Sequence, residues 1–307
     1  MGIVERSLSI VPSFSYKFSL KLLDIANKDE RQRMNDERID RNWQWKTVKG
    51  NTYLTSELLS DWQHGFFTQE FYPQTPEDLT SILQPETTPY RVKQVHGNVV
   101  LTPQEITTAI KERDLVDSFP DADAVISDAA KQSVWVASAD CTPILIGDRV
   151  SGRVCAIHAG WRGTAQKIVV KAISRFLESG SQKKDLRIAI GPAIAGKIYQ
   201  VDESVAIKVG KTIIADAEDK TDPAILTELH QIDDSPLFDD ELPSKVRLDV
   251  SRVNQIQLEQ LDLNPAQIAF AQLCTYQQSN FFSYRRTGER KVQWSGIVSN
   301  QQLTTNY

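Results

Sequence analysis

Histidine is scarce in this chain: four of 307 residues, at His64, His96, His158 and His230. Cysteine is scarcer still, with Cys141, Cys155 and Cys274. Three thiols, an odd number in a chain this long, do not make a disulfide framework and point to a reducing compartment. No apolar run approaches the roughly 18 residues that a membrane helix needs, so no span is expected. The opening stretch, MGIVERSLSIVPSFSYKFSLKLL, has neither an apolar signal-peptide core nor a small-residue cleavage site. Arg6 stands where a myristoylation signal would carry Ser or Thr. The cytoplasm is therefore the expected location. Positive charge is not in excess either. Lys and Arg number 35 against 40 Asp and Glu, a net charge of -5, which leaves no electrostatic footprint for nucleic acid. A local basic pocket for an anionic small molecule stays compatible with that balance.

What is present is ordinary soluble-protein material, 40% hydrophobic and 24% charged. The length suffices for a full core. Residues 28–41, KDERQRMNDERIDR, carry ten charges in fourteen positions and read as a solvated helix or linker. The expected organisation is an N-terminal extension and charged linker (1–41), one main globular domain (42–300) and a short tail (301–307). Within the domain, SVWVASAD (133–140), PILIGDRVSG and RVCAIHAG (153–160) read as adjacent strands, partly a hairpin. Residues 164–179 read as a helix, with Thr164 as N-cap, Gly180 as the stop, and a buried face of Ile168, Val169, Ala172, Ile173, Phe176 and Leu177. Residues 186–192, 266–276 and 291–298 read as further strands, 202–217 as a helix, and 218–244 as a long surface loop. Asp249 is placed to cap a last helix bearing Val250, Val253, Ile256 and Leu261. Strands and helices alternate and one pair is a hairpin, so the sheet cannot be purely parallel. The expected class is an α/β (α+β) sandwich, mixed sheets with flanking helices.

Three residues stand out chemically. His96 lies in VKQVHGNVV, His158 ends an apolar run before AGWRGT, and Cys141 opens one after VASAD. Each sits at a strand edge, and three such ligands meeting at one end of a sheet would make a His₂Cys site with an open position, the pattern of catalytic zinc. Their spacing matches no short-range metal motif, so core or turn roles stay open from the residues alone. His64 and His230 read as structural or merely exposed. HAGWRGT offers two glycines, a helix start and Arg162, a combination that suits an oxyanion, or a plain Gly-rich turn. FFSYRRTG offers Tyr284, Arg285 and Arg286 for phosphate and a planar base, or a basic loop. DADAVISD offers Asp121, Asp123 and Asp128, and a turn entering a strand is the preferred reading there.

The segments VKQVHG, DADAVISD, ADCTPILIGD, AIHAGWRGT, IGPAIAGKIYQV and CTYQQSNFFSYRRTG, taken in order, resemble a group long named multicopper polyphenol oxidoreductases (laccases) and now regarded as zinc-dependent purine nucleoside enzymes. The likeness runs over roughly residues 62–298. It implies a single sandwich domain and one zinc on His96, Cys141 and His158. It also implies phosphorolysis of adenosine, inosine and methylthioadenosine, with adenosine deamination, and a related role in correcting peptidoglycan precursors. Two departures stand out. A Gly-rich SLNLG-type stretch expected before QVHG has no counterpart here, nor does its Asn. Gly196-Lys197 also replaces a frequent Cys pair. Counting limits copper: a trinuclear cluster is built almost wholly from histidine, and four in the chain cannot supply one. A single copper ion in a His₂Cys site remains compatible.

The mechanism that follows has zinc as the cofactor and purine nucleoside and phosphate as the partners, in a monomer or weak homodimer. Asp140, beside Cys141, is a candidate proton shuttle or outer partner of the metal site. Arg162 and the turn amides would hold phosphate, with Arg285 or Arg286 closing on it and Tyr284 against the purine. Rival readings are a hydrolase, with Cys141 as nucleophile and His158 as base or with zinc, acting on a peptidoglycan precursor; the older polyphenol oxidase activity; and a binding protein in which zinc only pins loops.

Overall fold

Runs rich in β-branched residues become strands, and most of them assemble into two six-stranded sheets. The computed structural model describes residues 42–112 and 119–300. The extension and linker at 1–41 and the tail at 301–307 lie outside them. The first sheet is built from β1 (Trp43–Val48), β2 (Asn51–Ser56), β3 (His64–Phe67), β4 (Thr88–Tyr90), β7 (Gln132–Ser138) and β15 (Gln293–Val298). Their order across the sheet is β1-β2-β3-β15-β7-β4. The second is built from β5 (Val100–Leu101), β6 (Ala124–Ile126), β8 (Thr142–Asp148), β9 (Val154–Ala159), β10 (Leu186–Ile190) and β14 (Ile268–Phe270). Its order is β14-β10-β8-β9-β6-β5. A small third sheet joins β11 (Gln200–Asp202), β12 (Leu237–Asp239) and β13 (Lys245–Leu248). Most neighbours run antiparallel, but β4–β7, β5–β6 and β10–β14 are parallel. The sheets are mixed, as expected.

Residue alternation decides the layers. Val134, Val136 and Ile297 of the first sheet pack with Val125, Leu145, Ala156 and Ala189 of the second. The residues between them in sequence, such as Ile144, Ile146, Cys155, Ile157, Ile188 and Ile190, face away. There they meet Ile168, Val169, Ala172, Ile173 and Phe176 of helix α4 (Ile168–Glu178). Trp135 and Val298 meet helix α1 (Pro76–Leu83) through Leu79 and Leu83. Both faces of each central strand are thus buried, which is why they read as continuous apolar runs rather than alternating ones. The architecture is a sheet-on-sheet sandwich with helices on its outer faces.

Several local expectations are corrected. Of the three runs in 133–160, only β8 and β9 pair, as an antiparallel hairpin with Ile144 opposite Ile157. β7 instead pairs with β15 and β4 in the other sheet. The chain changes sheet at Ala139–Cys141, through Asp140 at φ 92. The single helix expected over 164–179 is two. α3 (Trp161–Ala165) has Gly160 as its N-cap, and a break at Lys167 (φ 57) precedes α4. Thr164 is therefore no cap; it is buried and its hydroxyl accepts from the Asn254 side-chain amide at 2.9 Å. Leu177 is exposed rather than part of the buried face, whereas Gly180 (φ 90) ends the helix as expected.

The helix expected over 202–217 is shorter, α5 (Glu203–Gly210). The stretch expected to be a loop, 218–244, holds α6 (Asp222–Gln231) and β12. Its acids and prolines are helix-start chemistry around Pro223, and Ile225 and Leu229 bury completely. Asp249 does cap α7 (Val250–Glu259), accepting from the Arg252 amide at 2.9 Å, though Leu261 falls beyond the helix. Two further helices are α2 (Pro103–Glu112) and α8 (Tyr284–Thr287).

Candidate active site around a His-Cys-His group

The sheet change at Asp140 delivers Cys141 to the start of β8, directly beside the end of β9, where His158 sits. His96 approaches from the loop between β4 and β5 in a left-handed conformation, φ 61. The potential ligand atoms of His96, Cys141 and His158 all lie within 4.8 Å of one another. The two imidazoles meet edge to face at 4.8 Å between ring centres. His158 is buried, Cys141 half-buried and His96 exposed, so the group opens on one side. Gly160 leaves the space for it. A Cβ there would stand 3.0 Å from the Cys141 Sγ and 3.1 Å from His96.

A residue first read as part of a turn organises the group. Asp123 is fully buried and accepts four hydrogen bonds: from the amides of Val95 (3.2 Å), His96 (2.9 Å) and Gly97 (2.6 Å), and from His158 Nδ1 (2.9 Å). Burial alone would raise its carboxyl, but the bonds from His158, Gly97 and His96 outweigh that and hold it below the usual range. Burial would lower His158, yet Asp123 and Cys141 together lift it to about 9. Burial would raise the Cys141 thiol, and His158 and His96 overcome this to bring it to about 6. A thiolate is the form that binds metal, and a carboxylate on Nδ1–H fixes the imidazole with its other nitrogen free to coordinate. Two histidines and a thiolate-prone cysteine, open on the side of His96, form a donor set that fits a zinc-type ion. The group could hold a metal.

A cavity of about 440 Å³ opens on this group, with His96 and Cys141 in one wall. Arg162, Arg285, Tyr284 and Asp140 also line it. The Arg162 guanidinium lies over the Trp161 ring at 4.4 Å, and that of Arg285 over Tyr199 at 4.9 Å. Both carboxylate oxygens of Asp140 are hydrogen-bonded. One oxygen accepts the Thr275 hydroxyl (2.7 Å) and the other the Arg285 amide (2.7 Å), so it ties α8 to the strand end that carries Cys141. Arg286 does not reach the cavity. Its guanidinium is saturated by the carbonyls of Thr275, Tyr276, Gln278 and Phe281, clasping the preceding loop. Phe282 meets Tyr72 edge-on at 5.5 Å.

The other histidines stay outside. His64 is buried, accepting from the Ser56 amide and donating to the Trp62 carbonyl, each at 2.8 Å. His230, at the end of α6, lies 3.5 Å from Asp239. Asp121 pairs with Lys93 (3.1 Å), and Asp128 accepts from Gln132. Sequence reasoning missed Trp161 and Tyr199, which carry the cavity's arginines. It also undervalued Asp123, which stands one residue before the wholly apolar AVI of β6.

This sandwich and site define a known class. The chain belongs to the family described as multi-copper polyphenol oxidoreductase laccase, whose model matches residues 77–299. A purine nucleoside phosphorylase of Synechocystis sp. is 52% identical over 258 residues, covering 84% of this chain and 97% of that one. The crystal structure of YlmD from Geobacillus stearothermophilus superposes with a TM-score of 0.67 at 21% identity, over 84% of this chain and 99% of that one. A Bacillus licheniformis protein, YfiH, gives 0.67 at 22% identity, over 83% and 99%. At those identities the structures speak for the fold.

Proposed function

We propose that the protein is a zinc-dependent purine nucleoside phosphorylase that acts on adenosine, inosine and methylthioadenosine, and that it also deaminates adenosine. The observation that carries this reading is one cavity lined by His96 and Cys141 together with Arg162 and Arg285. The 52% identity to a relative named for this activity supports it. Residues 42–300 act as the catalytic domain, in the cytoplasm, as a monomer or weak homodimer.

His96, Cys141 and His158 would hold the zinc. When bound, zinc supplies Lewis acidity that polarises an oxygen or nitrogen of the substrate. Arg162 binds phosphate, its guanidinium prepositioned over the Trp161 ring, and Arg285 adds its positive charge from over the Tyr199 ring, where both its terminal nitrogens donate to the Gln200 carbonyl at 3.1 Å. Asp140 keeps α8, and with it Arg285 and Tyr284, at a fixed distance from Cys141. Asp123 holds the His158 Nδ1 proton and, through three backbone amides, the loop that carries His96. A cavity of this volume lies in the range that encloses small ligands and excludes most water. In the reaction a phosphate oxygen bonds to C1′ of the ribose and the C1′–N9 bond breaks. Its electron pair stays with the purine, and the proton phosphate carried ends on a base nitrogen.

A second reading has its own observation. Asp123, His158 and Cys141 stand in the order of a Cys-His-Asp hydrolase triad, with the thiol lowered to about 6. Purified protein incubated with inosine separates the two readings. The phosphorylase forms hypoxanthine and ribose 1-phosphate in phosphate buffer and nothing in phosphate-free buffer. Inertness in both, with hydrolysis of another substrate lost on alkylation of Cys141, would leave the hydrolase.

A further inference from the structure

Arg285 serves the cavity as a charge more than as a fork. Both its terminal nitrogens are turned to the Gln200 carbonyl at 3.1 Å. A guanidinium fork such as that of Arg162 satisfies two oxygens of a phosphate and leaves the others in need of donors. The side chain beneath Arg285 offers one. Tyr199 lines the cavity, with the Arg285 guanidinium 4.9 Å from the centre of its ring. Its hydroxyl has no hydrogen-bond partner among the described residues, yet it is not sealed from water. Its surroundings locate that hydroxyl. Burial first and Cys141 next push its pKa up, to about 12, Arg285 and Arg162 pull against them, and Asp140 adds to the rise. The phenol oxygen therefore stands within the fields of the thiol and of both guanidiniums. The backbone below it is fixed as well. The Tyr199 amide donates to the carbonyls of Ala195 and Gly196 at 3.0 and 3.2 Å, and its carbonyl accepts from the Leu248 amide at 3.0 Å. Tyr284, also in the cavity wall, is 55% exposed, so a ligand bond there only replaces a bond to water.

We propose that Tyr199 is a phosphate-binding residue, whose hydroxyl donates a hydrogen bond to a phosphate oxygen other than the attacking one, beside the Arg162 fork. This deepens the phosphorylase reading and rests on it. A phenol suits the place because it is protonated at neutral pH and brings no negative charge to repel the anion. Arg285 over its face favours negative charge on the oxygen, which strengthens the O–H as a donor. The oxygen it holds keeps its charge throughout the transfer. The contact thus contributes equally to bound phosphate and to the transition state, and its loss is read in KM rather than kcat.

The test is Tyr199→Phe in the full-length, metal-loaded protein, which keeps the ring under Arg285 and removes one oxygen. The phosphate KM is expected to rise about tenfold or more, as loss of a hydrogen bond to a charged group does. The inosine KM, kcat and zinc per chain are expected to stay near the parent's. A folded Tyr199→Phe protein with the parent's phosphate KM, or one in which the inosine KM rises instead, overturns the assignment. Loss of zinc in the same variant would place Tyr199 in the service of the metal group and overturn it too. Calorimetric titration with inorganic phosphate, without nucleoside, keeps the two claims separable. Phosphate binding weakened by Tyr199→Phe in a protein that does not cleave inosine would sink the phosphorylase and keep the Tyr199 contact. Phosphate binding indifferent to the substitution would sink the contact whatever the turnover.

Discussion

Asp123→Asn is the sharpest single perturbation of the site, because it keeps the shape and removes one acceptor. The carboxylate presents one oxygen to the His96 amide and His158 Nδ1, and the other to the amides of Val95 and Gly97. An asparagine must turn its NH₂ toward one of these pairs. Facing His158, it would demand the wrong tautomer, with the proton on the nitrogen needed by the metal. The amide therefore turns toward Val95 and Gly97 and leaves two part-buried donors unpaired. Water reaches this loop in part, so the loss falls at the low end of the penalty for an unsatisfied group, about 1 kcal/mol each and roughly 2 kcal/mol in all. Loss of the charged partner of His158 weakens metal binding by about 10- to 100-fold. Urea unfolding of the metal-free proteins reads the first effect, and competition against a chromophoric chelator reads the second. An Asp123→Asn protein with the parent's urea midpoint and metal affinity would refute the claim that this carboxylate organises the site.

His64 gives a pH signature. Burial, against the bond to Trp62, lowers its pKa from 6.5 to about 4, so the unfolded chain takes up its proton first. Its contribution is complete above pH 6.5 and fades as pH falls toward 4, about 3 kcal/mol in all and about 2 kcal/mol of it by pH 5. The stability difference between the parent and His64→Asn should therefore shrink by that amount between pH 8 and 5 in urea titrations; a constant difference would contradict it. Gly160→Ala places a methyl 3.0 Å from Cys141 Sγ, and should cost metal affinity while the unfolding transition of the metal-free protein stays close to the parent's. Arg162→Ala should raise the phosphate KM tenfold or more, as loss of a charge-assisted fork does (about 1.5–3 kcal/mol). Arg286→Ala should instead lower the melting temperature and leave the phosphate KM within twofold, since its guanidinium clasps the loop; the opposite pattern would exchange their roles.

How far the sequence was legible varied with the physics. The strands of the sandwich could be seen because burial on both faces leaves unbroken apolar runs, as in TPILIGD and VCAIHA. Their partners could not, because β7 and β8 are adjacent in sequence and equally apolar, and only the left-handed turn at Asp140 sends them into different sheets. The helix in 218–244 was hidden by composition. Its acids and Pro223 look like loop residues, while only Ile225 and Leu229 need burial to hold it. Within the site, His96, Cys141 and His158 were legible as rare residue types at strand edges. Asp123 was not, because an acid between two alanines carries no mark of the four donors that converge on it in space. Arg285 and Arg286 are neighbours of one type, and only the carbonyls around Arg286 assign one to the loop and leave the other to the cavity.

The account stands on a metal held by His96, Cys141 and His158 in the service of phosphorolysis. The most direct test is metal analysis of protein purified without added metal, side by side with inosine turnover in phosphate, for the parent and for His96→Ala. One zinc per chain, with hypoxanthine and ribose 1-phosphate formed by the parent and both zinc and products lost in the variant, is the predicted result. A metal-free parent that still turns over inosine, or a His96→Ala protein that keeps its full rate, would contradict it.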